Sequence, residues 1–230
     1  MSVGDILGES WETYKRHWRH LIPLAVGFYA VLGLITLLLS VLFGLVGAAV
    51  AAVVNVLGIW LLVGTLVEAI ADVRDGRADL TYGQTIERAR TRFWPLFVAG
   101  VLVTLGVFLG LILLIVPGLI LLTRWSMFAP LVVLEGAAAT DSPGASNNLV
   151  KDHSWTVFGV LLITFILVNV FTGIVSAILS PLADWLQSYL SNVIGSGIAG
   201  PFAAAAVMGV YFRLRGEKAV VEPAPSPVVS

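Results

Sequence analysis

Apolar runs separated by short charged stretches set the pattern of this chain, and the runs are too long for a soluble core. Residues 21–67 carry no charged side chain. As one helix rising about 1.5 Å per residue they would overshoot a hydrocarbon core of about 30 Å by a factor of two, so they have to turn back. Gly44 and Gly47 mark the turn, giving spans at 21–43 and 47–70. Further apolar runs give spans at 95–115, 119–135, 157–180 and 193–212, with Pro117-Gly118 as the turn between the third and fourth. The prediction is an all-α protein: a polytopic six-helix transmembrane bundle with short amphipathic interfacial helices.

The charged stretches have a helical period of their own. In residues 2–20, Val3, Ile6, Leu7, Trp11, Tyr14 and Trp18 recur mostly every three or four positions. Asp5, Glu9, Glu12, Lys15, Arg16 and Arg19 take the other face, as on a helix lying at a membrane surface. A second surface helix is predicted after Thr81, an N-cap residue, with Asp75-Gly76 as the turn before it. A third lies between 136 and 154, capped by Asp141 or Ser142 with Pro143 in its first turn. Residues 181–191 form another amphipathic stretch, anchored by Trp185 and Tyr189. The tail, 216–230, spaces Pro223, Pro225 and Pro227 alternately and reads as disordered and cytoplasmic. The start of the chain lacks the pattern of a secretory signal, so the first span is expected to be retained.

A repeat runs through this pattern. The segments KRHWRHLIPLAVG, TRFWPLFVAG and KDHSWTVFG each carry a basic, tryptophan-bearing stretch into a span. Trp18, Trp94 and Trp155 match, as anchors at the membrane–water interface. Three units of surface helix plus span pair are expected.

Composition agrees with a membrane protein: 58% of residues are hydrophobic and 12% charged, with a mean hydropathy of +0.97. Of the thirteen Lys and Arg, all except Arg124 fall before the first span, after the second, after the fourth or after the sixth. By the positive-inside rule both termini and these loops are cytoplasmic. A net charge of −1 leaves no electrostatic footprint for nucleic acid. Without cysteine, thiolate catalysis and Cys-based zinc sites are excluded, and no cofactor motif is present. Gly195-Ser196-Gly197 has no histidine in a span to serve it as base. Asp75-Gly76 lacks the further aspartates that a CDP-alcohol phosphotransferase needs for its metal ions.

The candidate functional residues are the polar groups within or at the ends of the spans: Arg124, Asn55, Asp184, Glu68, Glu135 and Asn169. A charge at that depth costs at least about 2.5 kcal/mol. Counted from Pro117, Arg124 is expected near the outer side, snorkelling toward Asp184 or the outer-turn carbonyls, with Asn55 at similar depth. Glu68 and Glu135 are expected to meet Arg74, Arg77, Arg88, Arg90 or Arg92. Asn169 reads as helix–helix glue, and small-residue pairs such as Gly106 and Gly110 as close helix contacts.

Phe93-Trp94, Pro117-Gly118, Arg124-Trp125, Pro130, Glu135, Ser146 and Trp155 resemble the membrane domain associated with bacterial glycerophosphoryl diester phosphodiesterases. The likeness covers about a third of the chain. It implies a multi-span helical membrane domain. It does not imply hydrolysis, because catalysis in those enzymes belongs to a soluble barrel whose acidic and histidine metal ligands this sequence lacks. The expectation is therefore a non-catalytic protein of a prokaryotic plasma membrane, partnered by the lipid bilayer and by itself or another membrane protein. The alternative is a transporter or channel for a small anionic or lipid-like substrate with Arg124 in its pathway.

Overall fold

The computed structural model describes residues 2–74 and 80–221, and every regular element in it is helical. Five helical stretches are long and apolar enough to cross a membrane. The first element, α1 (Val3–Arg74), is broken twice, at His17 and at Gly44. At Gly44 the backbone adopts φ 55°, ψ −131°, a region open to glycine and strained for other residues. The chain reverses there. Asn55 donates to Thr36 Oγ1 at 2.5 Å, and Gly58 lies against Leu32. Contacts across so many residues exist only if segments 18–43 and 45–74 form an antiparallel hairpin. The turn falls where the two glycines predicted it.

The next elements are α2 (Tyr82–Thr91), α3 (Phe93–Leu113), α4 (Ile115–Arg124) and α5 (Phe128–Glu135). Then come α6 (Ser142–Val150), a short 3-10 turn (Lys151–His153), α7 (Ser154–Ile178), α8 (Asp184–Leu190), a π turn (Ser191–Ser196) and α9 (Gly197–Val221). Thr81 caps α2 through a reciprocal pair: the Gln84 amide N–H donates to its hydroxyl, and its own amide donates to the Gln84 side chain. Pro143 sits in the first turn of α6 after Asp141. The turn Asp75-Gly76, Arg77 and the tail prolines lie outside the described residues. Residues 216–221, placed in that tail by sequence, continue α9 as helix.

The repeat has a backbone counterpart. Each surface helix passes into its span through one residue in the sparsely populated bridge region: His17 (φ −115°, ψ 16°), Arg92 (φ −104°, ψ 6°) and His153 (φ −126°, ψ 21°). Each of these precedes its tryptophan by one or two positions. Trp18, Trp94 and Trp155 are 48%, 66% and 87% exposed.

Two expectations need correction. The turn between the third and fourth spans is at Leu114 (φ −160°, ψ 140°), earlier than Pro117-Gly118. Proline is welcome in the first turn of a helix, where its missing N–H costs nothing, so it marked a helix start and not the turn itself. Gly118 lies against Gly110, close enough that backbones touch. The fourth span is not continuous but divided into α4 and α5. The helix expected over 2–20 is present, and its segment 3–16 packs along one face against the bundle. It docks on α9: Ile6, Ser10 and Tyr14 are buried, and the Ser10 hydroxyl bonds the Ala205 carbonyl at 3.2 Å. The small residues Gly209 and Ala205 allow that approach, since a side chain at 209 would strike Ser10.

The core centres on α5, where Ala129, Pro130, Leu131, Val132 and Val133 are all buried. A helix apolar all round belongs inside a bundle. Outside it, Leu38, Phe43, Leu45, Leu105, Phe108, Phe165 and Ile174 are among many large apolar side chains left exposed. An apolar surface of that extent is matched by hydrocarbon, not water.

Candidate functional site

Polar chemistry inside this apolar fold collects at the break between α4 and α5. Trp125, Ser126 and Met127 interrupt the helical ladder. A broken helix leaves backbone groups without partners, and buried ones must find others. Ser146 of α6 supplies them. Its hydroxyl donates to the Arg124 carbonyl at 2.7 Å and accepts from the Met127 amide at 3.0 Å. Ser146 is fully buried. The Trp125 ring fills the space over Gly106, where any side chain would clash. The break is therefore a closed joint, pinned from α6 and packed from α3.

Arg124 sits at this joint with its side chain in a groove of about 440 Å³ between α4 and the start of α7. Val116, Leu119, Ile120 and Phe158 make its apolar walls, and Thr123, Ser154 and Trp155 complete it. Among the described residues no carboxylate lies within ion-pair distance of Arg124, and its buried Nε has no hydrogen-bond partner. The expected outward reach toward Asp184 does not occur. Asp184 opens α8, beyond the far end of α7 from Ser154. The reason is α6: by folding back against α5 it brings the start of α7, not its end, to the arginine.

The other candidates serve local structure. Asn55 does not join Arg124; it donates to Thr36 and to the Ala51 carbonyl, tying the first hairpin. Asn169 is exposed and donates to Phe165 of its own helix, so it is not helix–helix glue. Among the described residues, Glu135 meets none of the loop arginines named for it. Arg215 of α9 grips it at both oxygens, and the Tyr211 hydroxyl donates to it at 2.5 Å. Glu68 makes no ion pair among the described residues; Arg88 and Arg92 are the cations whose field reaches it. The reach of α9 was illegible because its last turns read as tail. Those turns are a charged hub: Arg213 bonds Glu9 at 2.6 and 3.1 Å, His153 faces Glu217 at 3.2 Å, and Lys218 donates to the Asn148 carbonyl.

One pair in this hub has a pH consequence. The Arg213 guanidinium bonded to Glu9 holds that carboxyl below its ordinary value of 4.5, against the opposing effect of partial burial. A depressed folded value means stability present above the unfolded value and lost as pH falls through the folded one. Acidification below about 4.5 is expected to loosen segment 3–16 from α9, seen as faster proteolysis of the N-terminus. Glu9→Gln should cleave at the acid-state rate at neutral pH. A wild-type rate unchanged from pH 7 to 3 would refute this.

A second, larger groove of about 520 Å³ lies between segment 3–16, α7 and α9. Its lining is apolar apart from Tyr14, whose hydroxyl is already spent on the Ile198 carbonyl. No protein-family model, curated protein or solved structure matches this chain.

Proposed function

We propose that the chain is a six-span plasma-membrane protein of a prokaryote, with both termini cytoplasmic and no catalysis of its own. Its role is that of an accessory or scaffold, assembling with itself or another membrane protein in the bilayer. The reversal at Gly44 supports two spans within α1, and α3, α4 with α5, α7 and α9 supply the rest. The distribution of Lys and Arg supports the orientation. The resemblance to the phosphodiesterase membrane domain supports a non-catalytic reading, since the chemistry there lies in another domain.

The observation that carries this reading is the closed joint at Ser146. Transporters break helices so that unwound backbone and half-helix ends can hold a substrate or ion. Here one serine occupies both the Arg124 carbonyl and the Met127 amide. The groove beside them is walled by Val116, Leu119, Ile120 and Phe158, which suit hydrocarbon and not a file of water.

A transporter or channel is the second reading. The break in the fourth span, the π turn at Ser191–Ser196 and an arginine with no carboxylate partner among the described residues favour it. Cysteine scanning separates the two, because the chain has no cysteine. With a membrane-impermeant thiol reagent added outside intact cells, Arg124→Cys is expected to stay unlabelled while Asp184→Cys labels fully. Equal labelling at both positions would establish an aqueous path and sink the scaffold reading.

A further inference from the structure

Arg124 remains to be explained. An arginine in an apolar groove needs an anion, and the described residues offer it none within ion-pair reach. The neighbouring hydroxyls do not help as donors. Thr123 donates to the Leu119 carbonyl at 2.8 Å, and Ser154 to the carbonyls of Lys151 and Val150 at 3.1 and 3.3 Å. The guanidinium and the Trp155 indole N–H are thus the side-chain donors the groove offers. The planar fork of the guanidinium suits two oxygens of one phosphate.

The depth is set by Trp155. It is 87% exposed and lines the same groove. Tryptophan so exposed on a membrane helix belongs at the headgroup level. Arg124 therefore meets the bilayer where phosphates lie, with the apolar walls leading away from it. By the positive-inside rule this is the cytoplasmic leaflet, which is the anionic one in cells.

We propose that the groove between α4 and α7 seats an anionic phospholipid, its phosphate on Arg124 and its acyl chains along Val116, Leu119, Ile120 and Phe158. This rests on the reading of a lipid-facing, non-conducting groove. An occupant that is an anion at one end and hydrocarbon at the other satisfies the charge and the walls together. A free anion satisfies only the first, and a zwitterionic lipid brings a cation of its own to a groove that already holds the Arg124 guanidinium.

The test is lipid retention by the purified full chain in detergent, read by native mass spectrometry and thermal unfolding with phosphatidylglycerol, phosphatidylcholine or inorganic phosphate added. Wild type is expected to retain phosphatidylglycerol over phosphatidylcholine by roughly tenfold, the worth of a charge-assisted contact. Arg124→Gln should abolish that preference and the accompanying thermal shift, while Arg124→Lys keeps part of it. Ile120→Trp keeps the charge and fills the groove, so it should lose retained lipid of both kinds; it also carries the test if Arg124→Gln does not fold. Wild-type preference in Arg124→Gln or in Ile120→Trp would overturn the proposal. So would equal stabilisation by inorganic phosphate, which would make the site one for a free anion. Thiol labelling of Arg124→Cys reports on the conducting alternative separately: if that variant stays unlabelled while Arg124→Gln keeps the wild-type lipid preference, the lipid site alone is sunk.

Discussion

Ser146→Ala is expected to unfold this protein at markedly lower temperature, although it removes a single oxygen. That oxygen is fully buried and satisfies two backbone groups at the break between α4 and α5. A helix that ends at Arg124 and resumes at Phe128 cannot pair these groups with its own ladder. Alanine leaves the Arg124 carbonyl and the Met127 amide stranded, at about 1–3 kcal/mol each. The sum, about 2–6 kcal/mol, is a large share of a typical folding stability of about 5–15 kcal/mol. Ser146→Thr keeps the hydroxyl and should fall between. Ser188→Ala, on exposed α8, is the control and should melt like wild type. The measurement is thermal unfolding in detergent for the set. If Ser146→Ala melted with the control, the joint would not depend on this serine.

How much of this was legible depends on where each signal resides. Thr81, Pro143 and Gly44 act through their own backbone, and the cap of α2, the first turn of α6 and the hairpin turn lie where the chain predicts them, although neither Asp141 nor Ser142 caps α6 with its side chain. The three tryptophans each follow a break in the helical backbone by one or two positions, which is also a local matter. The break at Trp125–Met127 carries no such signal. It contains no proline or glycine, and its stability comes from a serine in another helix. The partners of Glu135 and Arg124 were misread for the same reason: depth counted along one helix ignores how α6 and α9 fold back. Pairing across a bundle is set by packing, and an apolar alphabet of Leu, Val, Ile and Ala encodes packing only as volume.

Gly47→Ala should damage the first hairpin more than any other glycine replacement within it. A Cβ at 47 would lie 1.8 Å from the Leu39 carbonyl oxygen and 2.6 Å from its carbon. These are backbone atoms, so no side-chain rotation relieves the clash; the hairpin itself must open. Over-packing against movable side chains costs about 1–3 kcal/mol, and this contact should exceed that range. Opening the turn also separates Asn55 from Thr36, removing the polar tie between the two segments. Gly44 offers a graded comparison. Nothing lies within 4 Å of its would-be Cβ, and only its positive φ penalises alanine, at about 1–3 kcal/mol. Gly27, helical and open on its outer side, should tolerate alanine or gain up to about 1 kcal/mol from it. The expected order of melting temperatures is Gly27→Ala, then Gly44→Ala, then Gly47→Ala. A cysteine pair at 36 and 55 gives an independent readout: oxidative crosslinking should persist with Gly27→Ala and fail with Gly47→Ala. Efficient crosslinking in Gly47→Ala would mean the turn accommodates a side chain, and the close approach of its two segments would not be what closes the hairpin.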